Sequence, residues 1–308
     1  MQEKYEVVIL GGGPAGLAAG IYSARSGLST LIVEKGFPGG QIVNSSLVEN
    51  YPGMHEGVSG MDLGQRMHTH AEQAGAETET AEVTGLVRGA VGEPHRVVTS
   101  EGDVLGTTVI IATGTQWGML NVPGEAELAG RGVSYCATCD GLFYKGKKVV
   151  VVGGGDTAIT DALELAKFAS EVTVIHRRDE LRATQVLQDK AMKDPRIQFI
   201  WSSVVDAIEG NPSVSAVNVR NRKNDTVSRM AIDGVFIAVG SFPMTSFLKD
   251  VVALDEAGSV IIDEQMATEV AGIFAAGDVR HGSVRQVIAA AGDGAAAALS
   301  ARRYINSL

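Results

Sequence analysis

Cysteine is scarce in this chain: 308 residues contain two, Cys136 and Cys139. One pair in so long a chain excludes a disulfide scaffold. With no second pair and no histidine nearby in sequence, it does not make a zinc site either. Basic runs are also absent. The net charge is −10 and no Lys/Arg run interrupts it, so no nucleic-acid partner is expected. No apolar stretch approaches the ~18 residues of a membrane span, so no membrane partner is expected. The alanine-rich stretch Ala289–Ala301 is broken by Gly292, Asp293 and Gly294 and reads as a buried helix. The N-terminus reaches a strand-like run by Tyr5 without a basic or apolar leader, so a cytoplasmic protein is expected.

What remains is a chain able to bury a core, with 45% hydrophobic residues and no low-complexity tract. Its length suits two domains of ordinary size. Its 38 glycines cluster at loop positions, where backbone must approach a ligand closely. Tyr5–Leu10 is a short β-rich run, suited to a buried parallel strand, that leads into Gly11-Gly12-Gly13-Pro14-Ala15-Gly16. Leu17–Ser26 then has helical spacing, and Ser29–Val33 is a second strand ending at Glu34. This is the order of a dinucleotide-binding turn. Gly11 permits the tight turn, Gly13 admits a pyrophosphate to the backbone, and Gly16 lets helix and strand pack closely. Glu34 stands where a carboxylate accepts bonds from ribose hydroxyls.

The pattern repeats. Lys148–Val152 is a strand, Gly153-Gly154-Gly155-Asp156-Thr157-Ala158 is the loop, Ala158–Phe168 reads as helix, and Glu171–Ile175 is the next strand. The position equivalent to Glu34 holds His176, followed by Arg177, Arg178, Asp179 and Arg182. Losing the carboxylate removes repulsion against a 2′-phosphate, and arginines bind one bidentately. The first turn should therefore hold a dinucleotide without a 2′-phosphate, and the second should prefer NADPH. The alternative for the arginines is a solvated basic face.

Thr108–Gly114 and Gly234–Gly240 are similar apolar strands ending in glycine, and they bracket the cysteine pair and the second loop. They read as crossings between domains. The expectation is an α/β fold of two Rossmann-like dinucleotide-binding domains, of the three-layer ββα type, the second inserted in the first. The domains expected are 1–117 with 246–308, and 118–245. Ile273–Gly277 is a further buried strand that returns to the first domain, where Asp278 is placed to bond a ribityl hydroxyl or a phosphate.

Cys136-Ala137-Thr138-Cys139-Asp140 lies between the two loops. A Cys-x-x-Cys turn can open and close a disulfide with little backbone movement, and one thiol can lower the pKa of the other. An inert reduced pair is the weaker reading. His68 and His70, on the expected helix Met61–Ala74, read as solvated; His55, His95 and His281 have no partner pattern; and Lys145, Lys147 and Lys148 read as a solvated turn.

Taken together, these residues resemble the low-molecular-weight thioredoxin reductases. The resemblance runs through G-G-G-P-A-G at 11–16, G-G-Q at 39–41, E-N-Y-P-G at 49–53, A-T-G at 112–114, C-A-T-C-D-G at 136–141, G-G-G-D-T-A at 153–158, H-R-R-D-E-L-R-A at 176–183, A-A-G-D-V at 275–279 and R-Q-V-I-A-A-A-G at 285–292. It departs at Thr160 and Asp161, where the family often has two acids, at Met244 after Pro243, and at Trp117-Gly118.

The resemblance implies FAD and NADPH as cofactors, thioredoxin as the disulfide substrate, and a homodimer. It implies FAD contacts from Gly11, Gly13, Pro14, Ala15, Gly16, Glu34, Lys35, Gly40, Gln41, Asn50 and Val83, from Ala112, Thr113 and Gly114, and from Gly277, Asp278, Arg285, Gln286 and Val287. It implies NADPH contacts from Gly153, Gly155, Asp156, Thr157, His176, Arg177, Arg178 and Arg182. It implies that NADPH reduces FAD, which reduces a Cys136–Cys139 disulfide. Cys139 would lie nearer the flavin and Cys136 would attack thioredoxin. Asp140 is the candidate acid/base, with a helix N-cap or turn role as its alternative. Another acceptor on the same fold, a peroxiredoxin-system protein or a small dithiol with oxygen, is the rival function. By the same resemblance the domains rotate on hinges near Thr115–Met119 and Ser241–Thr245.

Overall fold

The structure, a computed structural model, describes residues 4–45 and 47–308. The chain divides into two compact units, Met1–Gln116 with Phe242–Leu308, and Trp117–Ser241.

The first unit opens with β1 (Lys4–Leu10), α1 (Pro14–Arg25) and β2 (Thr30–Glu34). Then come α2 (Gly60–Gln73), β3 (Glu77–Thr80), β4 (Val83–Val87), β5 (His95–Thr99) and β6 (Val104–Ile111). The first crossing is β7 (Thr115–Trp117). The second unit holds β8 (Val133–Ser134), α3 (Ala137–Asp140), β9 (Lys148–Gly153), α4 (Asp156–Leu165), β10 (Glu171–Ile175), α5 (Gln185–Lys193) and β11 (Ile197–Ile200). It closes with β12 (Ser203–Gly210), β13 (Val214–Asn221), β14 (Val227–Ala231) and β15 (Gly234–Ala238). The return crossing is β16 (Ser241–Pro243), which pairs with β7, and the chain ends with β17 (Ile273–Ala275) and α6 (Val287–Ile305).

Both units are built to one plan. In the first, β3, β2, β1, β6 and β17 run parallel in that order, and β5 and β4 extend the N-terminal half of β6 as an antiparallel meander. In the second, the parallel order is β11-β10-β9-β15-β8, with a separate antiparallel meander β12-β13-β14. The central strands are covered on both faces. In β1, Val7 and Ile9 join the core formed with α1, α2 and α6, while Tyr5, Val8 and Leu10 join the core on the meander side. In β9, Val149 and Val151 face α4, while Val150 and Val152 meet the β12–β13 side chains. Strand periodicity thus feeds two cores from one apolar run, each fully buried side chain contributing about 1.5–3 kcal/mol.

The strands expected at Tyr5–Leu10, Ser29–Val33, Lys148–Val152 and Glu171–Ile175 are present with small shifts at their ends. Both helices after the glycine loops begin earlier than their apolar spacing suggests, at Pro14 and Asp156. The reason is local: Gly13 and Gly155 are extended N-caps, and proline at the first helical position is already set to helical φ. The two crossing strands end short of Gly114 and Gly240, at Ile111 and Ala238. Both glycines take positive φ, which lets the chain turn off the sheet.

Three histidines differ from their expected solvated or unpartnered state, while Lys147 and Lys148 are exposed as expected of a solvated turn. His68 is mostly buried, with Nε2 3.1 Å from Thr78 Oγ1. His95 is buried; its Nδ1 accepts from the Gly89 N–H and its Nε2 lies 3.1 Å from the Ala271 carbonyl. His281 Nδ1 lies 2.7 Å from an Asp255 carboxylate oxygen. Lys147 lies over the Tyr144 ring at 5.5 Å, and Lys148 pairs with Glu171 at 3.2 Å. The partners of His95 at Ala271 and of His281 at Asp255 come from distant elements, so no local spacing announces them.

Helix α6 lies against α1 through Gly294: a Cβ there would fall 2.0 Å from the Ala15 carbonyl oxygen. Gly292, on the same helix, faces open space. Gly294→Ala is therefore expected to destabilise the protein by about 1–3 kcal/mol or more through overpacking. Gly292→Ala should stabilise it by about 1 kcal/mol through helix propensity. Thermal unfolding of the two variants beside the parent, at equal flavin content, checks the opposite signs.

Candidate active site

Each glycine loop joins the carboxyl end of a central parallel strand to a helix N-terminus. At the first loop, Gly11 has φ +107°, and a Cβ there would meet the Ala112 carbonyl oxygen at 2.5 Å. A Cβ on Gly16 would lie 1.8 Å from the Gly11 carbonyl oxygen, so the helix is pressed onto its own turn. Gly13 is different: a Cβ there would meet only the Gly40 Cα, at 3.9 Å. The turn is tight behind and open in front. Helix α1 has no side-chain cap, so its first N–H groups face that opening with the positive end of the helix dipole. An anion such as a pyrophosphate fits this cradle.

Many of the first unit's candidate residues gather around the cradle. The Gly39 N–H donates to the Gly12 carbonyl at 2.7 Å, which brings Gly40 and Gln41 alongside. The Gln41 side-chain amide donates to the Thr115 carbonyl. Glu34 accepts from the Gly12 N–H at 2.6 Å and from the Gly36 N–H at 2.9 Å. It therefore shapes the turn. Ala112 and Gly11 are bonded to the ends of β1 and β2, and Ala276 to the end of β6. Ala112, Thr113 and Gly114 thus share one rim with the strand end leading into Gly277 and Asp278. The Thr113 hydroxyl is held by the Met244 carbonyl at 2.9 Å. Asn50 donates to Gln286 at 3.1 Å, next to Val287 at the start of α6. Arg285, at φ +56°, donates its N–H to the Ser283 hydroxyl.

Asp278 is raised above the usual carboxylate range by burial, with the Ser283 hydroxyl opposing at 3.2 Å. Two candidates stand apart. Lys35 is exposed, and Val83 packs its side chain against the meander-side core.

At the second loop the same mechanics recur with different residues. Gly153 has φ +157°, and its Cβ would meet the Ala238 carbonyl oxygen at 2.4 Å and the Ala158 Cβ at 2.7 Å. Gly155 faces open space, at the uncapped N-terminus of α4. A second pyrophosphate fits there. Asp156 accepts from the Thr184 N–H at 2.6 Å, and the Arg182 N–H donates to the Gly154 carbonyl at 2.7 Å, which folds the segment after β10 back over the loop. Thr157 sits in the first turn of α4. The His176 ring covers Gly154: a Cβ there would fall 2.2 Å from Nδ1. Burial lowers the His176 pKa, and its Nε2 is buried without a hydrogen-bond partner among the described residues. Arg177, Arg178 and Arg182 are exposed, and none forms an ion pair among the described residues. Exposed guanidinium groups without ion pairs suit a 2′-phosphorylated ribose.

Cys136 and Cys139 form a disulfide with Cα atoms 5.3 Å apart. Cys136 is the extended N-cap of α3, and Cys139 lies within that helix. The Asp140 N–H donates to the Cys136 carbonyl at 3.1 Å. Ser134, buried at the end of β8, ties this turn together. Its hydroxyl donates to Asp140 Oδ2 at 2.7 Å and accepts from the Cys136 N–H at 3.1 Å. Burial raises the Asp140 carboxyl above its ordinary value, and the Ser134 bond opposes the rise. Tyr144 is pushed up to about 12 by burial and by the nearby Asp140 and Asp233 carboxylates.

Ser134 is a site residue that motif reading missed; nothing in its spacing marks it. Glu125 is another. It is buried and accepts from the Leu120 and Asn121 N–H groups and from the Tyr135 hydroxyl at 2.9 Å. Tyr135 in turn stacks on Trp117 at 4.8 Å, so the residue before Cys136 is fixed by two side chains. Asp161, one of the departures from the family pattern, is raised to about 7 by burial and by the adjacent Glu164.

Comparison with known proteins agrees with this geometry. The profile of the pyridine nucleotide-disulphide oxidoreductases matches residues 5–294. A thioredoxin reductase of Listeria innocua is 44% identical over 100% of this chain and 96% of its own length. One from Bacillus subtilis is 43% identical over 100% of this chain and 97% of its own. The crystal structure of thioredoxin reductase from Streptococcus pyogenes superposes with a TM-score of 0.95 at 43% identity, covering 100% of both chains. The chain belongs to the pyridine nucleotide-disulphide oxidoreductase family and, within it, to the thioredoxin reductases.

Proposed function

We infer that this chain is an NADPH-dependent, FAD-containing thioredoxin-disulfide reductase. The observation that carries the reading is the Cys136–Cys139 disulfide, set in the same unit as a nucleotide loop rimmed by unpaired arginines. The first unit is the proposed FAD-binding domain and the second the proposed NADPH-binding domain. A cytoplasmic homodimer is the proposed setting. Among the described residues no helix is long and apolar enough to cross a membrane.

When bound, the flavin supplies two-electron chemistry, taking hydride from NADPH and delivering an electron pair to the disulfide. Gly11, Gly13, Pro14, Ala15, Gly16, Glu34, Gly40 and Gln41, with the Ala112–Gly114 and Gly277–Asp278 rims, are proposed to hold FAD. Gly153, Gly155, Asp156, Thr157, His176, Arg177, Arg178 and Arg182 are proposed to hold NADPH. The chain's own chemistry is thiol–disulfide exchange. Two electrons break the Cys136–Cys139 bond and, with protons taken up from solvent, leave a dithiol from which the Cys136 thiolate forms. The Cys136 thiolate attacks one sulfur of the thioredoxin disulfide, forming a mixed disulfide and releasing one substrate thiolate. Cys139 then attacks Cys136, re-forming the intramolecular disulfide and releasing the second substrate thiolate. Asp140 holds the proton that one leaving thiolate needs. Burial raises its pKa, which favours the protonated form that can donate. Ser134 aims that carboxyl at the turn.

The direct test is NADPH oxidation by the purified yellow protein with a thioredoxin from the same cell, and NADH as the control. Turnover that requires thioredoxin and favours NADPH is expected; oxidation without thioredoxin reduction would move the reading to another acceptor. Cys139→Ser should retain FAD and lose disulfide reduction, seen as an unchanged flavin absorbance with no thioredoxin turnover.

Asp140 gives a pH test. An acid works below its pKa, so the basic limb of kcat reports Asp140. The Ser134 bond favours the ionised carboxyl, so Ser134→Ala should raise the pKa and move that limb to higher pH. Asp140→Asn should lower kcat by about 10²–10⁴ and lack the limb. A limb that stays in Asp140→Asn belongs to another group.

A further inference from the structure

Arg222 belongs to no motif, yet it is bound into the second nucleotide site. It follows β13 at the tip of the β13–β14 hairpin. Its N–H donates to the Ser202 carbonyl at 2.7 Å, and the Ser202 N–H donates to the Arg178 carbonyl at 2.9 Å. Its guanidinium Nη1 donates to the Arg177 carbonyl at 3.1 Å. The next residue, Lys223, pairs with Asp179 at 3.0 Å and so draws off the carboxylate that directly follows Arg178. The hairpin tip is therefore strapped to the arginine segment after β10 by hydrogen bonds and one ion pair.

Charge gives the strap a meaning. The chain carries −10 overall, and five of its other arginines, Arg96, Arg196, Arg220, Arg229 and Arg280, pair with carboxylates. Among the described residues, Arg222 pairs with none, and neither do Arg177, Arg178 and Arg182. One guanidinium nitrogen of Arg222 is spent on the Arg177 carbonyl, and its other donors remain available. Exposed cations held together without a counter-charge repel one another, and a dianionic ligand relieves that repulsion.

We propose that Arg222 is a further guanidinium of the 2′-phosphate subsite, delivered by the β13–β14 hairpin, and that it helps set the preference for a 2′-phosphorylated adenosine. This rests on the NADPH reading of the second loop. Two properties separate this role from a purely structural strap. The effect of removing Arg222 falls on ligands that carry a 2′-phosphate, and it follows charge rather than hydrogen-bonding capacity.

Calorimetric binding of 2′,5′-ADP and of 5′-AMP to the flavin-loaded enzyme tests it, with Arg177→Ala as the reference. Arg222→Ala should weaken 2′,5′-ADP about tenfold, the scale of one charged hydrogen bond, and leave 5′-AMP unchanged. Arg222→Gln keeps a donor for the Arg177 carbonyl but no charge, and should weaken 2′,5′-ADP nearly as much. Arg222→Lys should recover part of the loss. Parent-like binding in Arg222→Gln, or equal losses for both ligands in Arg222→Ala, would reduce the residue to a strap and overturn the proposal. Loss in Arg177→Ala with none in Arg222→Ala would overturn it while leaving the NADPH assignment intact. No loss in Arg177→Ala would overturn the subsite reading and the proposal together.

Discussion

A glycine turn with no room behind it and open space before it is the constraint on which the rest of this protein depends. At Gly16 and Gly153 a side chain would strike backbone carbonyls or the following helix. At Gly13 and Gly155 the space before the turn is open. The close contact fixes where the helix begins, and the helix beginning fixes which N–H groups lack partners. Those orphan donors would be a liability in an empty surface turn. Here they suit an anion such as a pyrophosphate. Both units use the same kind of turn, and they differ at the next strand end, with Glu34 in one and His176 followed by arginines in the other.

The redox turn works on a smaller scale with the same economy of parts. Ser134 uses one oxygen to receive the Cys136 N–H and to donate to Asp140. That single hydroxyl couples the geometry of the disulfide to the proton affinity of the acid. Burial raises the Asp140 pKa and the serine bond opposes the rise. Glu125 and the Trp117–Tyr135 stack hold the preceding backbone, so the exchange chemistry is presented from a rigid support.

The parts legible in the sequence were those whose physics is local. Strand–glycine–helix turns, apolar parallel strands and a close cysteine pair each leave a short-range pattern, and they appear where the pattern puts them. The meanders left almost none. Strand β14 is exposed along most of its length, and in β4 only Leu86 is buried among exposed and half-buried positions, so neither leaves a strong apolar pattern. Their place is decided by pairing with β13 and β5. The supporting side chains were hidden for the same reason. Ser134 with Asp140, Arg280 with Asp293, and Arg222 with Arg177 pair residues from different elements, and only the closed fold brings each pair together.

The shared plan carries one difference in order. In the second unit the strand flanking the sheet beyond β15 is β8, made before the rest of that sheet; in the first unit its counterpart is β17, made last. Helix α6, whose Gly294 closes against α1, comes later still. During synthesis on the ribosome, the inserted unit therefore has every strand of its own sheet while its host still lacks a strand and a covering helix. The emerging host must hold a half-covered apolar sheet until the final residues arrive, an interval of exposed apolar surface that invites aggregation.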